Sequence, residues 1–250
     1  MKKTPYKVNK SRRKFSQRLL VTGSTLALVP FVSAISVLAQ SNEPLQIGII
    51  GSGNIGGSVG LRWAEAGHSI LFSSRNPDQL SDLVEQAGSN ARAGFPADAA
   101  RFGEVILIAV PYGATPQVGR DFGPMMQNKI VIDCGNPRAD RDGPMADEAI
   151  EKGTGVASAE YFPGVRLVRA FNAVSYTMVR DQAHRDGELI GIPIAGDDIE
   201  AVTVTQRLVR DAGFDPVVVG DLSTARRFDR GTDVYVRGMT AAQLRSTLDL

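Results

Sequence analysis

The 250-residue chain contains one cysteine and two histidines. The single cysteine, Cys134, excludes an internal disulfide and a metal site built from several thiolates. Lysine is scarce beyond the amino-terminal segment, where only Lys129 and Lys152 remain and no Tyr-x-x-x-Lys pair occurs. This absence argues against the proton chemistry of short-chain dehydrogenases. We therefore predict no catalytic acid, base or nucleophile and no metal ligand, and we interpret His68 as a surface turn residue and Cys134 as a small residue at a strand end.

Acidic residues are absent before Glu43, whereas eight of the 28 basic side chains lie within the first 18 residues. A moderately apolar stretch follows over 19–39. This order is typical of an export signal, which we predict for residues 1–39. Ser11-Arg12-Arg13-Lys14-Phe15 resembles the twin-arginine signal, which implies the twin-arginine export machinery as a partner and a periplasmic or extracytoplasmic location. An uncleaved membrane anchor is the alternative, because the stretch reaches the roughly 20 residues of a span.

Beyond the first 18 residues the chain is acidic, with 20 basic against 27 acidic side chains. This balance argues against a nucleic-acid partner. We predict an NADP-binding domain over residues 45–172 and a small C-terminal segment on the acceptor side over 173–250. A homodimer is left open.

The most informative motif is a glycine-rich sequence that follows an apolar strand: Gly51-Ser52-Gly53-Asn54-Ile55-Gly56. Gly51 would allow a tight turn, Gly53 would let the backbone approach a pyrophosphate, and Gly56 would let the next helix pack closely on the sheet. The free N–H groups of a helix beginning near Asn54 would face the phosphates. With a strand before it and a helix after it, the motif predicts a dinucleotide site.

The second predicted strand decides between the two nucleotides. An NAD-binding chain usually ends this strand with an acid that binds the ribose 2′-hydroxyl. Here it ends in Ser73, Ser74 and Arg75, which offer two hydroxyls and a guanidinium to a 2′-phosphate. We therefore predict NADP(H) as the cofactor. In the alternative, Arg75 only stacks on the adenine.

Short runs rich in Val, Ile and Leu alternate with amphipathic stretches from residue 45 onwards. This pattern predicts an α/β fold of Rossmann type, with a doubly wound, mostly parallel sheet and a small C-terminal appendage. The predicted strands lie near 46–51, 69–74, 91–93, 104–110, 129–133, 166–171, 189–194 and 216–219. The predicted helices lie near 54–67, 77–88, 114–122, 174–183 and 198–212, with a last helix capped by Thr240. We expect a long loop over 135–155, with a short helix near 145–152.

The chain resembles the NADPH-dependent reductases of the deazaflavin coenzyme F-420. These share their nucleotide domain with pyrroline-5-carboxylate reductases and with the cytoplasmic domain of a ferric-reductase family. Besides the glycine motif, the resemblance rests on five further segments in family order: Ser74-Arg75-Asn76-Pro77, Ala109-Val110-Pro111, Asp133-Cys134-Gly135-Asn136-Pro137, Val168-Arg169-Ala170-Phe171-Asn172 and Ile194-Ala195-Gly196-Asp197-Asp198.

The resemblance implies roles for residues of most of these segments. Ser52, Asn54 and Ile55 would hold the pyrophosphate. Ser74 and Arg75 would bind the 2′-phosphate. The ribose and nicotinamide side would be lined by Ala109, Val110 and Pro111, and the nicotinamide and acceptor would be flanked by Asn136, Pro137, Ala170 and Asn172. The implied activity is direct hydride transfer between NADPH and a small, flat redox acceptor, a deazaflavin or flavin. An imine reductase and a non-catalytic NADP-binding module are the alternatives.

Overall fold

In the computed structural model, which describes Met1 and residues 43–250, eight strands form one sheet. The strands are β1 (Gln46–Ile50), β2 (Ser69–Ser73), β3 (Ala91–Gly94), β4 (Val105–Ile108), β5 (Ile130–Asp133), β6 (Arg166–Arg169), β7 (Gly191–Gly196) and β8 (Asp215–Gly220). Their spatial order is β3-β2-β1-β4-β5-β6-β7-β8. The strands β1 to β6 are parallel, and β7 pairs antiparallel with β6. The predicted α/β class with a mostly parallel sheet is confirmed.

Contacts divide the chain into the units Met1–Val32 and Ser33–Leu250. Apart from Met1, the predicted export signal over 1–39 lies outside the described residues. Within the second unit, the strands β7 and β8 continue the same sheet. The predicted boundary after residue 172 falls in the segment between β6 and β7, and the sheet continues beyond it.

The reversal also shifts β7 along the sheet. Only Val168 and Arg169 of β6 pair with β7, through Gly196 and Ala195 at its carboxyl end. Most of β7 therefore extends beyond the carboxyl end of β6. The C-terminal part of the chain is thus built next to the edge at which a doubly wound sheet binds ligands.

Ten α-helices connect or flank the strands in the described part of the chain. They are α1 (Asn54–Glu65), α2 (Ser81–Ala87), α3 (Pro96–Phe102), α4 (Thr115–Phe122), α5 (Ala139–Asp142), α6 (Pro144–Lys152), α7 (Thr154–Tyr161), α8 (Tyr176–Gln182), α9 (Ile199–Asp211) and α10 (Ala241–Thr247). The predicted cap of the last helix is confirmed, because the Thr240 hydroxyl accepts a hydrogen bond from the backbone N–H of Gln243.

The short helix predicted near 145–152 is confirmed by α6, but the rest of the predicted loop over 135–155 is wrong, since it holds α5 and the start of α7. Its prolines and glycines delimit short helices. Pro144 occupies the first turn of α6, where its missing N–H has no intrahelical partner to lose. Gly153, at a φ of +87°, separates α6 from α7.

Helices cover both faces of the sheet, as the alternation of β4 side chains shows. Val105 and Leu107 belong to a core cluster with residues of α1 and α9, whereas Ile106 and Ile108 belong to a second cluster with residues of α3 and α4. Burial on both faces explains why β4 is a continuous apolar run. Among residues 43–250, we find no helix with the length and apolarity needed to cross a membrane.

The prediction that His68 lies on the surface is wrong. The side chain is buried, and its ring joins two distant segments. Its Nδ1 accepts from the backbone N–H of Leu45 at 3.0 Å, and its Nε2 lies 3.0 Å from the carboxylate of Asp211 at the end of α9. His68 therefore has a structural role: it links the start of β2 to the residue before β1 and to the end of α9.

Candidate functional site

The glycine motif forms the turn between β1 and α1. Gly51 has a φ of +98°, and a Cβ there would lie 2.7 Å from the carbonyl oxygen of Ala109. Only glycine fits this position, as predicted. A Cβ at Gly56 would lie 2.2 Å from the carbonyl oxygen of Gly51, so Gly56 packs the helix against the turn. The glycine that lets α1 pack closely on the sheet is Gly60, which faces Ile49 and Phe72 and was not predicted from the sequence.

Gly53 differs from the other motif glycines because it is open to solvent. A Cβ at this position would meet no atom within 4 Å. Gly53 is the N-cap of α1, no side chain caps this helix end, and its first turn has no acidic residue. The N–H groups at the start of α1 are therefore available to an anion, which the helix dipole also favours.

The two serines after β2 have different roles. The Ser73 side chain is fully buried and donates to the carbonyl oxygen of Ile49 at 2.6 Å, while its backbone N–H donates to the Ser52 hydroxyl at 2.8 Å. Ser73 thus joins β2 to the glycine turn and offers no hydroxyl to a ligand, which corrects its predicted role. Ser74 and Arg75 both line the cleft, and the exposed Arg75 has no ion-pair partner in the part of the chain that the structure describes.

The cleft has a volume of about 790 Å³ and lies along the carboxyl ends of β1, β2 and β4. It unites most of the predicted nucleotide-side residues: Gly51, Ser52, Gly53, Ser74, Arg75, Ala109, Val110 and Pro111. The sequence analysis missed the opposite wall, which is formed mainly by α4. There Val118 and Phe122 are four residues apart and share one apolar helix face, a spacing that could have revealed them. Gln117 and Asp121 provide the polar rim of that wall.

The remaining predicted residues lie outside this cleft. Asn54 lines a neighbouring cavity of about 420 Å³, and Ile55 packs against the hydrophobic core. The four nicotinamide-side residues occupy the loops after β5 and β6, where the Asn136 side chain donates to the backbone carbonyl of Asn172 at 2.9 Å. Pro137, Ala170 and Asn172 are buried. The structure thus forms two groups, one in the cleft and one at the ends of β5 and β6.

Two ionisable side chains near the second group are held in their neutral forms. Burial raises the pKa of Cys134 to about 12, so its thiol is protonated at neutral pH. Burial also raises the pKa of Tyr112 well above its usual range, and its hydroxyl lies 3.2 Å from that of Ser158. A thiolate nucleophile is thereby disfavoured at this position. The buried location of Cys134 also agrees with its interpretation as a small residue at a strand end.

Comparison with known proteins finds a family match for one segment of the chain. Residues 46–137 match the family described as NADP oxidoreductase coenzyme F420-dependent. The F420-dependent NADP reductase of Methanothermobacter thermautotrophicus is 25% identical over 207 residues, which cover 77% of this chain and 88% of that protein. These matches confirm the resemblance inferred from the motifs.

A second group of relatives is longer than this chain. Metalloreductase STEAP3 of Rattus norvegicus is 29% identical over 221 residues, which cover 86% of this chain and 39% of that protein. The chain therefore spans about two fifths of the length of this relative. The matches are thus an NADP oxidoreductase family, an NADP reductase and a metalloreductase.

Solved structures confirm the fold. The hypothetical protein SMa0349 from Sinorhizobium meliloti superposes with a TM-score of 0.66 at 22% identity, covering 78% of this chain and 95% of that one. A reductive aminase from Aspergillus terreus, solved with NADPH and ethyl levulinate, has a TM-score of 0.53 at 14% identity and covers 74% and 57%. At these identities the likeness concerns the fold alone.

Proposed function

Because residues 46–137 match the NADP oxidoreductase family, we propose that the chain binds NADP(H) and transfers a hydride between NADPH and a flat redox acceptor of the deazaflavin or flavin type. One observation carries the proposal. The same cleft contains the uncapped start of α1 and the guanidinium of Arg75, which has no counter-ion among the described residues. These are two anion sites along one sheet edge, as a dinucleotide with a 2′-phosphate requires.

Different residues of the cleft would bind different parts of NADP(H). The 2′-phosphate would be bound by the Ser74 hydroxyl and the Arg75 guanidinium. The Ser52 N–H already donates to the carbonyl of Ser73 at 3.0 Å, so the pyrophosphate would be bound by the backbone of Gly53 and the first turn of α1. The adenosine would pack against the apolar wall of α4. The nicotinamide half would lie along Ala109–Pro111, after β4, and extend towards the loop after β5 that contains Asn136.

NADPH, when bound, supplies the hydride. The chain's own residues have to bind the two rings, align them and exclude water, which accounts for most of the rate enhancement in such a transfer. Direct transfer between two rings needs no protein acid or base. The neutral Tyr112 and Cys134 and the absence of a lysine from the described cleft lining agree with this division of work.

The choice of a flat acceptor is supported by the relative of similar length. The F420-dependent NADP reductase aligns over 88% of its length, whereas the metalloreductase aligns over 39%. A deazaflavin or flavin is therefore our first candidate. We also propose that the protein is exported through the twin-arginine route, on the basis of Ser11–Phe15 and the basic and apolar segments around it.

Stopped-flow mixing of the full chain with NADPH and a series of acceptors tests the proposed activity. We expect NADPH oxidation with a deazaflavin or flavin. Turnover of a cyclic imine in its place would favour an imine reductase. Tight NADPH binding without any turnover would favour a non-catalytic module, and the absence of binding would exclude all three functions.

A further inference from the structure

One charge of the cleft has no role in the proposed contacts with NADP(H). Among the described residues, the charged side chains that line the cleft are Arg75, in the turn after β2, and Asp121, in α4 on the opposite wall. Both are exposed. The Arg75 guanidinium suits a phosphate, whereas the carboxylate of Asp121 repels a phosphate at close range. Because a carboxylate only accepts hydrogen bonds, Asp121 fits a part of the ligand that donates one.

Neighbouring side chains of α4 orient this carboxylate. Gln117, Arg120 and Asp121 are three and four positions apart and lie on one side of the helix. Oε1 of Gln117 accepts from Nη2 of Arg120 at 2.6 Å, and its Nε2 donates to Oδ1 of Asp121 at 2.6 Å. Since a guanidinium only donates and a carboxylate only accepts, the Gln117 amide can take only this orientation. The second carboxylate oxygen, Oδ2 of Asp121, has no hydrogen bond or ion pair within residues 43–250.

The adenosine half of NADP(H) offers two kinds of donor to such an oxygen, the ribose 3′-hydroxyl and the exocyclic amine at N6 of adenine. The 3′-hydroxyl is adjacent to the 2′-phosphate, so a carboxylate that bound it would lie beside a second anion. The amine is at the far end of the base, away from the phosphates. The apolar side chains of Val118 and Phe122, which adjoin Gln117 and Asp121 along α4, would cover the flat face of the same base.

From this arrangement we infer that Asp121 determines the specificity for the base, because its second carboxylate oxygen accepts a hydrogen bond from the N6 amine of adenine. The inference rests on the proposed function and deepens it. The cleft selects its nucleotide at two places, by a cation at the 2′-phosphate and by an anion at the base. A nucleotide whose base has no amine at this position is therefore a poor ligand.

The first experiment uses the unsubstituted full chain. Calorimetry compares 2′,5′-ADP, the adenosine half of NADP(H), with purine riboside 2′,5′-bisphosphate, which has a hydrogen in place of the amine. We expect the purine analogue to bind about tenfold more weakly, because it loses a hydrogen bond to a charged acceptor. Equal affinities would overturn the inference.

The second experiment compares Asp121→Ala with Glu85→Ala, a change at an exposed acid of α2 that does not line the cleft. In D121A we expect the preference for the amine to fall to about twofold or less, the range of an ordinary surface substitution. E85A should keep the preference of the unsubstituted chain. A full preference retained in D121A would show that another group binds the amine and would overturn the role of Asp121.

Two other outcomes are distinct from these. If Asp121 acted only through its charge, D121A would bind 2′,5′-ADP and the purine analogue more tightly by the same factor, which would overturn the inference. Failure of nucleotide binding, and with it of the proposed function, would leave the unsubstituted chain binding neither compound, whereas failure of the inference alone leaves both bound equally well. A preference for the amine without hydride transfer to any acceptor would refute the proposed activity and support the inference.

Discussion

Replacement of Arg75 by alanine should separate NADPH from NADH. The guanidinium is exposed at the rim of the cleft and has no ion-pair partner within residues 43–250, so its removal breaks no described ion pair of the protein. Two unit charges 4 Å apart attract by about 1 kcal/mol in bulk water and about 4 kcal/mol at an effective dielectric constant of about 20. For a hydrogen-bonded contact at an exposed rim we expect about 1.5–3 kcal/mol.

This energy corresponds to a loss of about 10- to 150-fold in NADPH affinity. NADH has no 2′-phosphate, so its affinity should change by less than about threefold, the effect of about 0.5 kcal/mol. Energy transfer provides the assay, because Trp63 is the only tryptophan of the chain and lies in α1, the helix that follows the glycine turn. For the unsubstituted chain, the difference between the affinities for NADPH and NADH should also become smaller in about 1 M salt, where the Debye length falls to about 3 Å.

Arg210→Ala provides the matched control, because it removes an exposed arginine from the far end of α9, outside the cleft lining. It should leave both affinities unchanged. Equal losses for NADPH and NADH in R75A would refute the assignment of the 2′-phosphate and favour adenine stacking by Arg75. An unchanged NADPH affinity would remove Arg75 from the site altogether.

Three further predictions follow from the same structure. Gly53→Val should abolish nucleotide binding and lower the free energy of unfolding by no more than about 1 kcal/mol, because its Cβ meets no protein atom and only a favourable N-cap residue is lost. Gly51→Ala should lower the free energy of unfolding by about 1–3 kcal/mol through strain of its left-handed backbone. Retained binding by Gly53→Val in calorimetry, or a larger loss of stability in Gly53→Val than in Gly51→Ala in thermal melts, would contradict this reading of the turn. Cys134 should be inert to thiol reagents at pH 8 and react fully after unfolding, because the thiol is buried and its raised pKa keeps it protonated at that pH. The raised pKa also stabilises the fold below the ordinary pKa of about 8.5, and this contribution is lost as the pH rises through about 12. Rapid labelling of the folded protein at pH 8 would contradict the buried thiol. Replacing Arg12 and Arg13 together by lysine should retain the protein in the cytoplasm, and unchanged export in cell fractionation would exclude the twin-arginine route.

The glycine turn and the strands were predictable because their determinants are local. Gly51 is required by its own backbone angle, and β4 is recognised from four consecutive apolar residues. The helices α5 and α7 were missed for an equally local reason, since each is short and lies beside the glycine and proline residues that also mark loops.

Ser73 shows where local information ends. Because Ser73 and Ser74 are neighbours in the sequence, both hydroxyls were predicted to bind the 2′-phosphate. Strand alternation directs the Ser73 hydroxyl inward, where it donates a hydrogen bond to the carbonyl oxygen of Ile49 in the neighbouring strand. His68 is a similar case, because α9 covers a turn that would otherwise be exposed, and its partner Asp211 is 143 residues away.

By itself, the sequence determined the fold class, the glycine turn and the position of Arg75 after β2, because each depends on residues within single strands and the turns that follow them. The tertiary structure alone decided which residues form the opposite wall of the cleft. It also decided that β7 reverses direction and that Asp229 reaches Arg169 across 60 positions. These features depend on pairings between distant segments, whose partners no local pattern specifies.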